Sequence, residues 1–194
     1  MALPLSFWRY NMKKIIGIGL LIIILIVGVS FFVNYPIFNN DSDADASQQS
    51  IEYSENGITL SMPGDWVPAD SKSNESVLAV ASPNSKDSSG FNDVNVNIEK
   101  KSKANSLQSE FKSNYNILSR NSDFTIIFMG NVTFNGKDAM EAEYTSVSNN
   151  DTKHHRAIWF QEGSDIYVIL CSAPESEYEN LVGTFDFIID SIKM

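Results

Sequence analysis

Residues Ile15 to Val33 form an apolar run of Ile, Leu, Val, Phe and Gly, broken only by Ser30 and carrying no charge. As a helix the run spans about 28 Å, close to the hydrocarbon thickness of a bilayer. A chain that carries it has to place it in a membrane. Arg9, Lys13 and Lys14 precede the run, whereas Asp41, Asp43 and Asp45 follow it. The basic excess on the N-terminal side predicts a cytoplasmic N-terminus (residues 1–14) and an external remainder. A cleavable export signal is the competing reading, with Gly28 and Ser30 as small residues at a cleavage site. Such signals have apolar cores of roughly 7 to 15 residues, so the longer run favours an uncleaved single-pass anchor. With no cysteine near the run, lipid attachment through a thiol is excluded.

All 24 acidic residues lie beyond this segment, with only eleven of the 14 basic ones, so the exported part carries a net charge of −13 against −10 for the chain. No broad basic face is available, and nucleic acid is not expected as a partner. The expected contacts are the bilayer, through residues 15–33, and a protein of the cell envelope. Oligomeric state is open. A single cysteine, Cys171, rules out an internal disulfide and a Cys-cluster zinc module, and its apolar strand predicts burial.

Residues 34–50 are dominated by Asn, Asp, Ser, Ala and Gln, which cannot offset their ordering entropy by burial, and read as a flexible acidic linker. The remaining residues, 51–194, suit one compact domain. Ile51–Tyr53, a turn at Asn56-Gly57 and the alternating Ile58–Met62 start it, and Pro63-Gly64 ends that strand before Trp66, expected to seal an edge of the core. Ser76–Ala81 and Val94–Glu99 read as further strands. Leu107, Phe111, Tyr115 and Leu118 recur at four, four and three, which predicts a helix over 106–118.

Four strands follow as an antiparallel meander: Phe124–Met129 with Val132–Phe134, then Lys137–Val147, Lys153–Gln161 and Ile166–Cys171. Asn135-Gly136 joins the first two as a type I′ hairpin turn, because both residues tolerate positive φ. Ser172, Pro174 and Glu175 read as the capping box of a last helix, whose face is Tyr178, Leu181, Val182, Phe185, Ile188, Ile189 and Ile192. That helix is expected to lie across the sheet.

The opening Asn56-Gly-Ile-Thr-Leu-Ser-Met-Pro-Gly-Asp-Trp66 resembles the glycine, alternating strand, proline and tryptophan opening of PsbP-like domains. Ile166–Pro174, the helix around Tyr178 and Phe185, and the closing Ile188-Ile-Asp-Ser-Ile192 resemble the C-terminus of that family. The resemblance covers residues 51–194 in element order. It implies an α+β fold in which helices flank an antiparallel sheet, an α/β/α sandwich. It also implies a role in docking to membrane complexes and supplies no catalytic residue to carry over. An anchor and an acidic linker replace the targeting peptide and N-terminal arm of photosynthetic members, which argues against a photosynthetic role.

No HExxH, GxSxG or phosphate-binding glycine loop occurs, and no serine is singled out as a nucleophile. The expectation is a non-catalytic protein with no cofactor, no metal and no assigned site residue. One alternative is a weak divalent-cation or small-ligand site around His154, His155 and Glu143, with Thr145 and Ser146 opposite the histidines. Adjacent strand residues point to opposite faces, however, so both imidazoles cannot easily hold one ion, and exposed histidines without a role are the simpler expectation. Asp41, Asp43 and Asp45 lack the glycine and closing glutamate of a calcium loop. Glu175, Glu177 and Glu179 suit a helix N-terminus. Trp159, Phe160, Tyr167 and Phe91 can line a groove but at strand spacing read as core.

Overall fold

The computed structural model describes residues 49–71, 73–86, 92–148 and 150–194. The expected membrane segment, most of the linker, Phe91 and the acidic triplet at 41–45 lie outside the described residues. Among the described residues no helix is long and apolar enough to cross a membrane.

Among the described residues nine strands and two helices follow one another as β1 (Ser50–Glu55), β2 (Ile58–Pro63), β3 (Val67–Pro68), β4 (Ser76–Ala81), β5 (Asn95–Ser102), α1 (Leu107–Leu118), β6 (Phe124–Phe134), β7 (Lys137–Ser148), β8 (Asp151–Glu162), β9 (Asp165–Pro174) and α2 (Tyr178–Asp190). Seven strands make one antiparallel sheet in the order β3-β4-β5-β9-β8-β7-β6, while β1 and β2 pair as a separate hairpin. The expected meander is present as β6 to β9. Asn135 and Gly136 close its first turn at φ 48° and 74°, the two positive values a type I′ turn requires.

Each face of the sheet is covered by one helix, which gives two cores. On one face Phe185, Ile188 and Ile189 of α2 pack with Leu60 and Met62 of β2 against Val80, Val96, Ile98, Ile169 and Cys171. Trp66 closes this core edge-on to Phe185, with ring centroids 6.4 Å apart and planes at 83°. On the opposite face Phe111, Tyr115 and Leu118 of α1 pack on Tyr144, Trp159, Val168 and Leu170. Ser106 caps α1, its Oγ accepting from the Ser109 amide at 3.2 Å.

The last helix starts later than the capping-box pattern predicts. Ser172, Ala173 and Pro174 continue β9, paired with His155, His154 and Lys153 of β8. α2 begins at Tyr178 behind Glu177, which makes no side-chain cap. The strand wins because the Ser172 hydroxyl is used by His155 and Glu175 is used by His154. Pro174 is tolerated because β5 pairs with β9 only as far as Ser172, so that side of the strand is an edge at position 174.

Candidate functional site

The histidines occupy opposite faces of β8, as their adjacency requires, but both are buried rather than exposed, His154 at 7% and His155 at 2%. A strand with a helix on each side buries alternate residues of both faces. His155 lies under α1 between two hydroxyls, Ser146 Oγ 2.8 Å from Nε2 and Ser172 Oγ 2.8 Å from Nδ1, and stacks on Tyr144. Burial, assisted by the positive charge of Lys153, lowers its pKa to about 3. It is a neutral core group with both ring nitrogens engaged.

His154 faces α2. Its Nδ1 lies 2.9 Å from Glu175 Oε2, and its ring stacks on Tyr178, with centroids 3.6 Å apart and planes at 10°. Glu143 instead accepts from the Tyr178 hydroxyl at 3.2 Å, while Thr145 and Tyr144 pair in register with His154 and His155. Next along β8, Arg156 donates to Glu141 Oε2 at 3.1 Å and to Asp186 Oδ1 at 2.5 Å, tying β7, β8 and α2 together. Burial opposes its charge, but the hydrogen bond to Asp186 and the field of Glu141 outweigh it and hold the guanidinium above its ordinary pKa. Among the described residues no group of three or more His, Cys, Asp or Glu is placed to hold a metal ion. The arrangement orients α2 on the sheet, and its polar atoms mostly answer one another.

Cys171 is fully buried, and desolvation pushes its thiol up to about 12, so it is inert at neutral pH. Trp159 and Phe160 are core residues, and Tyr167 stacks on Phe160. The polar face of β5 is buried under α1: Asn97 is 6% and Glu99 1% exposed, with Lys101 Nζ 3.3 Å from Glu99 Oε2. No local signal in β5 announces this, because burial there comes from a helix that follows it.

A groove and a sheet edge stand open to solvent among the described residues. A groove of about 500 Å3 runs past the β6–β7 turn and the end of α2, bordered by Phe134, Lys137, Glu162, Asp190 and Ile192. Lys137 is ion-paired with Glu162 across it, and Asn135 Nδ2 donates to the Ile192 carbonyl at 3.0 Å. The second feature is β6, the terminal strand of the sheet. Its eleven residues, FTIIFMGNVTF, contain no charged residue and no proline. Ile127, Phe128 and Met129 are 52%, 44% and 41% exposed. Long edge strands are ordinarily blunted by charge or proline, so an uncharged one with exposed apolar side chains marks a contact surface. The strand is legible in its composition but its position at the edge is not, because that depends on the order of all seven strands.

The profile of the family described as PsbP-like protein matches residues 15–194. No match is found among curated proteins. The fold is similar to that of cyanobacterial PsbP (CyanoP) from Synechocystis sp. PCC 6803, at 16% identity and a TM-score of 0.53, over 82% of this chain and 99% of that one. It is also similar to LpqN of Mycobacterium tuberculosis, a protein involved in cell envelope biogenesis, at 13% identity and a TM-score of 0.51, over 75% of this chain and 90% of that one.

Proposed function

From the premise that the chain belongs to the PsbP-like protein family, we propose that it is a membrane-anchored, extracytoplasmic and non-catalytic interaction module of the cell envelope. The observation that carries the reading is the edge strand β6, which offers apolar side chains and an uncharged backbone on an otherwise acidic chain. The charge asymmetry about residues 15–33 supports the anchor and its orientation. The histidines support a structural part for the polar cluster, since His155 is neutral between two hydroxyls and His154 is held by Glu175 and Tyr178. The description of LpqN as an envelope protein is consistent with this setting.

Crosslinking of the tagged full-length protein in its native membrane, with mass spectrometry of the captured partners and of the N-terminus, tests the reading. A reproducible protein adduct on the domain together with an intact N-terminus is expected. Absence of any adduct above background under several chemistries rejects it.

The groove beside Phe134 and Ile192 favours a second reading, a small-ligand site. A ligand that binds only the folded state must raise the melting temperature. A panel of metabolites and divalent cations that leaves the melting curve unchanged removes that reading.

A further inference from the structure

We propose that β6 pairs antiparallel with β6 of a second copy of this chain, about a two-fold axis at Asn131, making one continuous sheet across the dimer. The inference rests on the interaction-module reading and names its partner. Phe134 and Lys137 close a two-residue hairpin, so they form a hydrogen-bonded pair and the alternation continues from them along β6. Phe128, Gly130 and Val132 therefore bond to β7, and Met129, Asn131 and Thr133 direct their N–H and C=O groups to the open side.

An axis at Asn131 sets Asn131 opposite Asn131 of the copy and Met129 opposite Thr133. On the other face it sets Phe128 opposite Phe134 and Gly130 opposite Val132. Every pair is apolar or neutral, which matters because two copies of a chain with net charge −10 otherwise repel. A register shift lies between Ile126 and Phe128, so regular pairing is confined to residues 128–134.

The opposite edge explains why the occupant is one further copy and not a fibre. There β3 has only two residues, Val67 and Pro68, and the proline cannot donate to a ladder. The outer edge of the separate hairpin, β1, carries Glu52 and Glu55, so among the described residues β6 is the long edge without charge or proline, and an isologous contact through it closes at two subunits. Seven paired residues bury an area at the low end for specific interfaces, below about 1,200 Å2, so association in free solution is weak. Anchoring both copies in one bilayer raises their effective concentration and offsets that weakness.

The test uses the full-length chain in its native membrane with Asn131→Cys and a short bismaleimide, since the natural Cys171 is fully buried. Asn116→Cys, on the exposed side of α1, is the control. The crosslinked homodimer is expected at about tenfold or more above the control, by the effective-concentration argument. Met129→Lys is expected to return it to the control level without changing the melting curve; if it unfolds the protein, Thr133→Lys serves in its place. Equal dimer yields at positions 131 and 116 overturn the proposal. Capture of a different protein at position 131 also overturns it but leaves the interaction-module reading standing. That reading falls only if the broader crosslinking captures nothing.

Discussion

The imidazole of His154 lies flat on the phenol ring of Tyr178, centroids 3.6 Å apart, and joins the middle of the sheet to the first residue of α2. Because α2 has no side-chain N-cap, this stack and the Tyr178 hydroxyl on Glu143 take over the task of fixing where the helix begins. Tyr178→Phe keeps the stack and loses only the hydrogen bond, so it is expected to cost about 1 kcal/mol. Tyr178→Ala loses the buried ring as well and is expected to cost about 3–5 kcal/mol. Urea unfolding of the two variants measures the difference, and equal losses would show that the stack contributes nothing.

His155 links stability to pH. Its folded pKa of about 3 lies below the ordinary 6.5, so between those values the unfolded chain binds a proton that the folded chain does not. Its contribution is complete above about pH 6.5 and is lost as pH falls, by about 1.4 kcal/mol per pH unit. Between pH 6.5, where the unfolded imidazole is half protonated, and pH 5.5, His155 should lower the unfolding free energy by about 1 kcal/mol. His155→Gln should flatten this part of the pH dependence. An unchanged slope in the variant would contradict the assignment.

Arg156 has two carboxylate partners of unequal value. Glu141 is 13% exposed and Asp186 49%, although the Asp186 contact is the shorter. Solvent screening decides the order: Glu141→Ala should cost about 2 kcal/mol and Asp186→Ala less than about 1 kcal/mol. Thermal melts that rank the two in reverse would contradict it.

Gly130 and Phe128 are coupled along β6. A β-carbon at Gly130 falls 2.5 Å from Phe128 Cζ, so the ring lies over the glycine. Gly130→Ala should displace the ring in the native protein but be tolerated once Phe128→Ala has removed it. A double-mutant cycle is expected to give a coupling of about 0.5 kcal/mol or more, and strict additivity would contradict the packing.

Elements whose signal is local were legible in the sequence. The Leu107 to Leu118 stripe, the Asn135-Gly136 turn and the four-strand meander each rest on spacing or turn chemistry confined to a few residues, and each is found. The start of β1 at Ser50 is one residue ahead of the expected Ile51. Errors arose where a distant element decided the outcome. Ser172-Ala-Pro174-Glu175 carries a capping signature, yet pairing of β9 with β8 and β5 keeps Ser172 in the sheet. The burial of His154, His155 and Glu99 follows from helices on both faces, which no window around those residues contains. The β6 edge likewise emerges only from strand order.

The account stands or falls on where the domain sits. Intact cells expressing the full-length chain can be treated with a membrane-impermeant maleimide, with single cysteines at Ala2 or Asn116, followed by membrane fractionation. The account predicts that both variants sediment with the membrane, that Asn116→Cys is labelled in intact cells, and that Ala2→Cys is labelled only after lysis. Recovery in the soluble fraction, or labelling at position 2 and protection at position 116, would contradict it.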